Sequence, residues 1–263
     1  MNNKILLCTH KDAKYAKDEL YYPIQLGVDE YDFDLNIGKD NTGDNISFKH
    51  KYYSEFSGLY WAWKNMKTDY LGVCHYRRYF IGKIKDKGEP KELQKVLKNK
   101  ELNELIKKYP NTIFVSRRRN YVIETIYSHY SHTHNGKDLD LAIDLMKKEF
   151  DDYYSSFMSV LNGRKAHMFN AFIMPWKQLD SYCNFLFEFL FKYEKIMDVS
   201  NYNEYESRLC GYIGELLLET WIRKNNIKYK EIKYRFIGEK HWCKKVFRFI
   251  KHKFIKKSRA FNG

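Results

Sequence analysis

Residues 54–80, SEFSGLYWAWKNMKTDYLGVCHYRRYF, constrain this chain more than any other stretch. Phe56, Leu59, Tyr60, Trp63 and Met66 recur at 3.6-residue spacing, which predicts a helix with an apolar stripe. Gly58 and Ala62 lie on another side, where small residues admit a close neighbour, so this helix is expected to be buried on more than one face. After the polar break at residues 67–69, the run YLGVC at 70–74 is short and apolar, as a strand covered on both faces would be. His75, Tyr76, Arg77 and Arg78 come next, at its carboxyl end. In open α/β sheets, ligands bind outside the carboxyl ends of strands. Arginine forks delivered there suit phosphate oxygens and keep their charge, so the cluster is a candidate anion site. The plainer alternative is a solvated charge cluster closing a strand. Flanking aromatics, which would partly desolvate the pair, favour the anion site.

The same pattern recurs along the chain. Residues 4–9 (KILLCT) form an apolar strand that ends in Thr9, His10 and Lys11, where His10 either touches a ligand or caps the strand. No GxGxxG or GxxxxGK[ST] accompanies it, which excludes the dinucleotide fingerprint and the P-loop. A strand at 112–115 runs straight into Arg117, Arg118 and Arg119, a second basic cluster for the same sheet edge. Residues 168–174 (MFNAFIM) predict a strand interrupted by Asn170, whose buried amide must be a structural pin or a ligand contact. Pro175 opens the next helix. Helices are also expected over 91–108 and 203–223, a helix or irregular segment over 121–130, and a last strand over 228–236. On the 203–223 helix, Glu204, Arg208, Glu215 and Glu219 are expected to form a solvated ion-pair stripe. Glu206 faces inward in the first turn, either tied to an arginine or held for chemistry.

Composition narrows the class. The 263 residues carry 17% aromatics and only 4 Pro, which excludes a disordered chain and suits a site that stacks rings, although a low-GC genome would raise the same counts. From residue 223 to 263 there are fifteen Lys or Arg against two Glu, which is +13 of the whole chain's +14. A nearly neutral body therefore bears a basic tail, and the body does not read as a nucleic-acid grip. In the tail, Trp242, Val246, Phe249, Ile250 and Phe254 share one side of a helix expected over 240–260, with Lys244 and Lys245 among the cations opposite. That amphipathic pattern suits an anionic bilayer interface, with a partner protein or RNA as alternatives. The five cysteines lack CxxC spacing and are expected to be buried thiols in a reducing compartment. No apolar run approaches membrane-spanning length, and the N-terminus lacks a signal peptide, which predicts a chain held on the cytoplasmic side. The DNTGDNIS run at 40–47 misplaces the glycine of a calcium loop, and His129, His132 and His134 lack zinc spacing, so no metal is expected.

The stretches CTHKD (8–12), DNTGDNIS (40–47), SEFSGLYWAWKN (54–65), DYLGVCHYRRYF (69–80), FNAFIMPWKQLDSYCNFLF (169–187) and YESRLCGYIGELLLETW (205–221) resemble a family long labelled only as a domain of unknown function. Its bacterial members, encoded among capsular and exopolysaccharide genes, are taken to be glycosyltransferases, some of them galactofuranosyltransferases. The resemblance spans about residues 4–225 and leaves out the tail, so it implies a catalytic domain over 1–225, and the amphipathic pattern makes 226–263 the expected membrane-association segment. It implies an α/β fold of the glycosyltransferase-A type, with a Rossmann-like central sheet flanked by helices. It also implies a nucleotide-sugar donor, such as a UDP-sugar, and a lipid-linked saccharide acceptor on the inner face of the cell membrane. Such folds usually place an Asp-x-Asp and a divalent metal against the donor diphosphate, whereas here His75, Tyr76, Arg77 and Arg78 stand in that place. Metal-independent transfer is the expectation, since two guanidinium charges can stabilise a departing diphosphate. If the reaction inverts, Asp138 or Glu206 is the expected base. Thr9, His10, Asn45, Glu55, Tyr60 and Trp63 are expected to join the donor site, with His134 and Asn170 near the sugar or acceptor. A noncatalytic lipid- or polysaccharide-binding protein on the same fold is the alternative.

Overall fold

The computed structural model describes residues 1–237. The amphipathic helix expected over 240–260, with Trp242, Lys244, Lys245, Phe249 and Phe254, lies outside the described residues, as does Cys243. Strands in chain order are β1 (Asn3–Thr9), β2 (Tyr21–Gln25), β3 (Gly38–Lys39), β4 (Tyr70–His75), β5 (Arg78–Phe80), β6 (Ile113–Ser116), β7 (Arg119–Asn120), β8 (Lys165–Ala166), β9 (Phe172–Pro175), β10 (Tyr229–Ile232) and β11 (Tyr234–Phe236). Helices are α1 (His50–Tyr53), α2 (Phe56–Asn65), α3 (Asn99–Lys108), α4 (Ile126–Thr133), α5 (Gly136–Glu149), α6 (Asp151–Leu161), α7 (Trp176–Glu194) and α8 (Leu209–Lys224).

Period-two burial in the strands explains the layers. In β1, Leu6 and Cys8 face one core while Ile5 and Leu7 face another; in β4, Leu71 and Val73 join the first and Cys74 the second. A strand apolar on both faces needs cover on both, and the helices supply it. α2, α5, α6, α7 and α8 contribute to the larger core, and α3 contributes Leu102 and Ile106 to the smaller. Among the described residues the main sheet has seven strands in the order β10-β6-β9-β4-β1-β2-β3. Neighbours are parallel except at β9, which runs antiparallel to both β4 and β6. The carboxyl ends of β1, β4 and β6 therefore share one edge, and Cys8 pairs in register with His75. The central α/β sheet flanked by helices is as the sequence predicts.

Several boundaries differ, each for a local reason. The helix expected over 91–108 starts at Asn99, where the Glu101 side chain reaches back to accept from the Lys98 backbone N–H at 3.2 Å and also accepts from the backbone of Lys83 and Ile84. The strand expected over 168–174 starts at Phe172, because Phe169 (φ 75°) and Asn170 (φ 47°) both take left-handed conformations that a strand excludes. Residues 203–208 do not join α8. The Asn203 side chain accepts from the backbone of Tyr205 and Glu206, and Glu206 Oε2 accepts from Asn203 N, so side-chain bonds replace helical ones. The last strand splits in two. β10 extends the main sheet and β11 pairs antiparallel with β5, so the body runs past the boundary expected at residue 225.

α8 is covered on nearly every side, and glycine lets it come this close. A Cβ at Gly214 would sit 2.2 Å from Phe56 Cε2, and one at Gly211 would sit 2.8 Å from Ser54 Oγ. The helix thus lies against the entry to α2. Gly214→Ala is expected to lower stability by about 1–3 kcal/mol through overpacking, despite alanine's helix propensity advantage of about 1 kcal/mol. Urea denaturation checks this, and an unchanged midpoint would mean that the Phe56 ring yields freely.

Candidate active site

β1 and β4 end side by side, and the residues just beyond them line a cavity of about 740 Å³. The Tyr76 amide donates to the Cys8 carbonyl at 3.0 Å, which locks the two strand ends together. His10 and His75 then stand with ring centroids 6.4 Å apart, and Tyr76 packs on His75 at 4.3 Å. Thr9, His10, Glu55, His75, Arg77 and Arg78 all line the cavity. Burial, with added repulsion from His50, Lys11, Arg208 and Arg77, lowers His10 to about 4. His75 falls to about 3 through burial and the charges of Arg77, Arg78 and His10. Both imidazoles are therefore neutral at neutral pH, and the positive charge of this wall belongs to the arginines.

Each arginine is held by a ring. The Arg77 guanidinium lies 5.1 Å from the Tyr76 centroid and 5.9 Å from Phe236, while Arg78 lies 4.5 Å from Phe169. Arg119, from the second basic cluster, approaches the same Phe169 ring at 5.8 Å. The two clusters do share one edge, and the left-handed turn at residues 169–170 separates them. Asn170 is buried behind that turn, and its Oδ1 has no hydrogen-bond partner among the described residues.

Glu215, which sequence reasoning assigned to a solvated stripe, belongs to the same site. It is half-buried and lines the cavity. Burial raises it to about 7, assisted by the charge of Glu55 and opposed by Arg78, a backbone hydrogen bond from Phe169, and Arg119. Glu219, one turn on, is fully buried against His167 (2.5 Å) and Arg223 (2.9 Å). Of the expected stripe, Glu204 and Arg208 pair at an exposed site, at 3.2 Å. The polar face of α8 turns inward because the helix has neighbours on both sides. The signal in the sequence was Gly211, four residues before Glu215 and on its face, where a solvated surface needs no glycine.

The other expected residues are placed elsewhere. Asp138 lies outside the cavity, 8% exposed, with both carboxylate oxygens accepting from the Tyr202 hydroxyl at 3.0 Å. Burial raises its pKa and the Tyr202 bond partly offsets this, so Asp138 ties α5 to the segment before α8. Glu206 is engaged in its own turn and does not line the cavity; Glu204 does. Tyr60 and Trp63 point away, because α2 starts at the site and recedes from it at about 1.5 Å per residue. They pack on Phe187 of α7, at 5.0 and 5.7 Å, and bond to Asp44 and Asp180. Asn45 pins a turn through Gly43 and Ser47. His134 stands behind the cavity wall, 4.0 Å from the Tyr212 ring. His129 and His132 both meet Glu124, and among the described residues no three His, Cys, Asp or Glu side chains converge as a metal site would require. Cys8, Cys74, Cys183 and Cys210 are buried thiols.

The chain belongs to the family described as Domain of unknown function (DUF4422), whose model matches residues 4–226. It is similar to the solved apo structure of the WbbM bifunctional glycosyltransferase, with TM-score 0.82 and 25% identity. That match covers 91% of this chain and 46% of the other, so the chain spans less than half of that protein's length. Comparison with curated proteins returned no match.

The raised Glu215 has a signature in stability. Its folded value lies above its ordinary one, so between the two the folded chain holds more protons than the unfolded chain, and stability falls as pH rises towards about 7. Glu215→Gln stays neutral and should remove this fall. Urea midpoints measured from about pH 5 to about pH 8 should separate with rising pH, the variant becoming the more stable. Parallel curves would mean that this carboxylate is solvated.

Proposed function

We propose that the chain is a glycosyltransferase that moves a sugar from a nucleotide diphosphate donor, of which a UDP-sugar is the first to test, to a saccharide hydroxyl. One observation carries the reading. Two arginines held on aromatic rings share one cavity at the carboxyl edge of the sheet with a carboxyl raised to about 7. Diphosphate release needs positive charge placed where negative charge develops, and water-poor surroundings strengthen it. Arg77 and Arg78 supply that charge, and neutral His10 and His75 are able to donate or accept hydrogen bonds without adding to it.

Attack by a hydroxyl needs a base whose affinity for protons is matched to the working pH. Glu215 takes the acceptor proton, the acceptor oxygen bonds to the anomeric carbon, and the bond from that carbon to the diphosphate breaks with its electron pair leaving on phosphate. This assignment replaces Asp138 and Glu206, and it is an inverting reaction. The similarity in fold to WbbM, and the capsular and exopolysaccharide setting of the resembling family, support the reaction class. An acceptor carried on a lipid, and galactofuranose as the donor sugar, are the specific forms of this reading.

Calorimetric titration of UDP into the full chain, in EDTA and then in manganese, tests the donor site. Binding in EDTA that disappears in Arg77→Ala/Arg78→Ala is the expected result. Binding only with manganese would replace the arginine site with a metal site, and no binding in either would favour a noncatalytic carbohydrate- or lipid-binding protein. With a donor in hand, Glu215→Gln should lower kcat by roughly 10²–10⁴-fold while leaving UDP affinity within a few-fold. The wild-type kcat should rise with pH to a plateau, with a midpoint near the value of about 7 held by Glu215.

A further inference from the structure

Val122 and Ile123 are the two most exposed large apolar side chains among the described residues, at 65% and 73%. Their backbone is unusual too. Val122 has φ 60°, a region that a β-branched residue rarely enters, and the Ile123 amide donates to the Tyr121 carbonyl at 2.7 Å, closing a γ-turn. Strain of this kind costs about 1–3 kcal/mol and persists only where the surroundings impose it. Here the imposition is visible. Arg164 Nη1 donates to the Val122 carbonyl at 3.2 Å, Val122 N donates to Asn120 Oδ1 at 3.1 Å, and Tyr121 N donates to the Arg164 carbonyl at 2.9 Å. The two side chains are thus held out into solvent by a braced turn.

Cations surround this tip. β7 pairs with β8, setting exposed Arg117, Arg119, Arg164 and Lys165 beside it. Arg118 is not counted, since it is engaged by Glu219 and Tyr229. The nearby carboxylate of Glu124 is occupied by His129 and His132. An apolar point beside cations that form no ion pair among the described residues matches the two parts of a membrane interface, acyl boundary and anionic headgroup. A protein partner is the poorer fit, because a two-residue tip is far from the roughly 800 Å² per side of a stable protein interface.

We propose that the turn at residues 121–123, with Arg117, Arg119, Arg164 and Lys165, is a docking point that inserts into an anionic lipid surface. It comes after β6, so it stands on the same sheet edge as the cavity. Arg119 links the two, touching both Tyr121 (4.6 Å) and the Phe169 ring that carries Arg78. Docking there would hold the cavity edge close to the lipid plane. The proposal is separate from glycosyl transfer and holds equally for a noncatalytic chain.

The test uses the full chain and vesicles of phosphatidylcholine with or without phosphatidylglycerol. Val122→Asn/Ile123→Ser removes the apolar tip, and asparagine accepts the left-handed backbone, so the thermal midpoint should hold or rise. Partition onto anionic vesicles should fall on the order of tenfold. Arg117→Gln and Lys165→Gln should each lower it about fivefold. Because the sequence pattern of the basic C-terminal segment predicts that it too binds such vesicles, the deciding readout is positional. Ile123→Cys in a Cys243→Ser background, labelled with an environment-sensitive dye, should shift to the blue on anionic vesicles and be quenched by brominated acyl chains. A chain that floats with an unshifted, unquenched label would overturn the proposal, and so would a label that responds to RNA or to a protein partner but not to vesicles.

Discussion

The distance between α8 and the entry to α2 governs the rest of the site. Gly211 and Gly214 allow backbone to approach Ser54 and the Phe56 ring, and that approach brings Glu215 beside Glu55 and out of bulk water. Packing here sets chemistry through desolvation: removing water from a carboxyl flanked by another carboxyl leaves the proton bound near neutrality, and the arginines across the cavity keep that shift within bounds.

The two walls obey opposite rules. On the β1–β4 side, burial and neighbouring cations strip the imidazoles of charge, while the guanidinium groups stay charged and are kept in place by Tyr76, Phe236 and Phe169. On the α8 side the carboxyl keeps its proton until the pH is nearly neutral. Phe169 joins the walls: its ring carries Arg78, its backbone lies near enough to Glu215 to lower it, and its left-handed φ is succeeded by another at Asn170. The strain falls on Phe169, since asparagine accepts a left-handed φ, and the turn places a ring between the two arginine clusters.

Much of this was legible in the sequence. Short apolar runs ending at once in polar residues located β1, β4 and β6, and parallel strands put their trailing His10, His75, Arg77, Arg78 and Arg119 on one edge. Periodicity also found α2, but it could not say that the helix runs away from the cavity, so Tyr60 and Trp63 were expected at a cavity that they do not line. Glu215 was missed because a 3.6-residue pattern separates polar from apolar faces and assumes the polar one meets water. In a helix packed on nearly all sides that assumption fails, and a buried carboxylate looks the same in sequence as a solvated one. Asp138 and Glu206 were plausible by position, but each is engaged by a nearby group, a tyrosine hydroxyl or its own turn, that spacing alone does not reveal.

The pairing of β11 with β5 makes the order of synthesis matter. β5 carries Arg78, Phe236 pairs with Arg78 and supports Arg77, and the Ile237 amide donates to the Arg77 carbonyl at 2.6 Å. About 150 residues of chain separate the two strands, so the arginine strand must wait for its partner while the ribosome makes everything between them. Until then β5 has an open edge, and Arg77 lacks the Phe236 ring and the backbone partner that β11 brings. A nascent chain can therefore build most of its core before β5 gains its second edge, and the arginine side of the cavity should be among the last parts to take its final form as the protein folds.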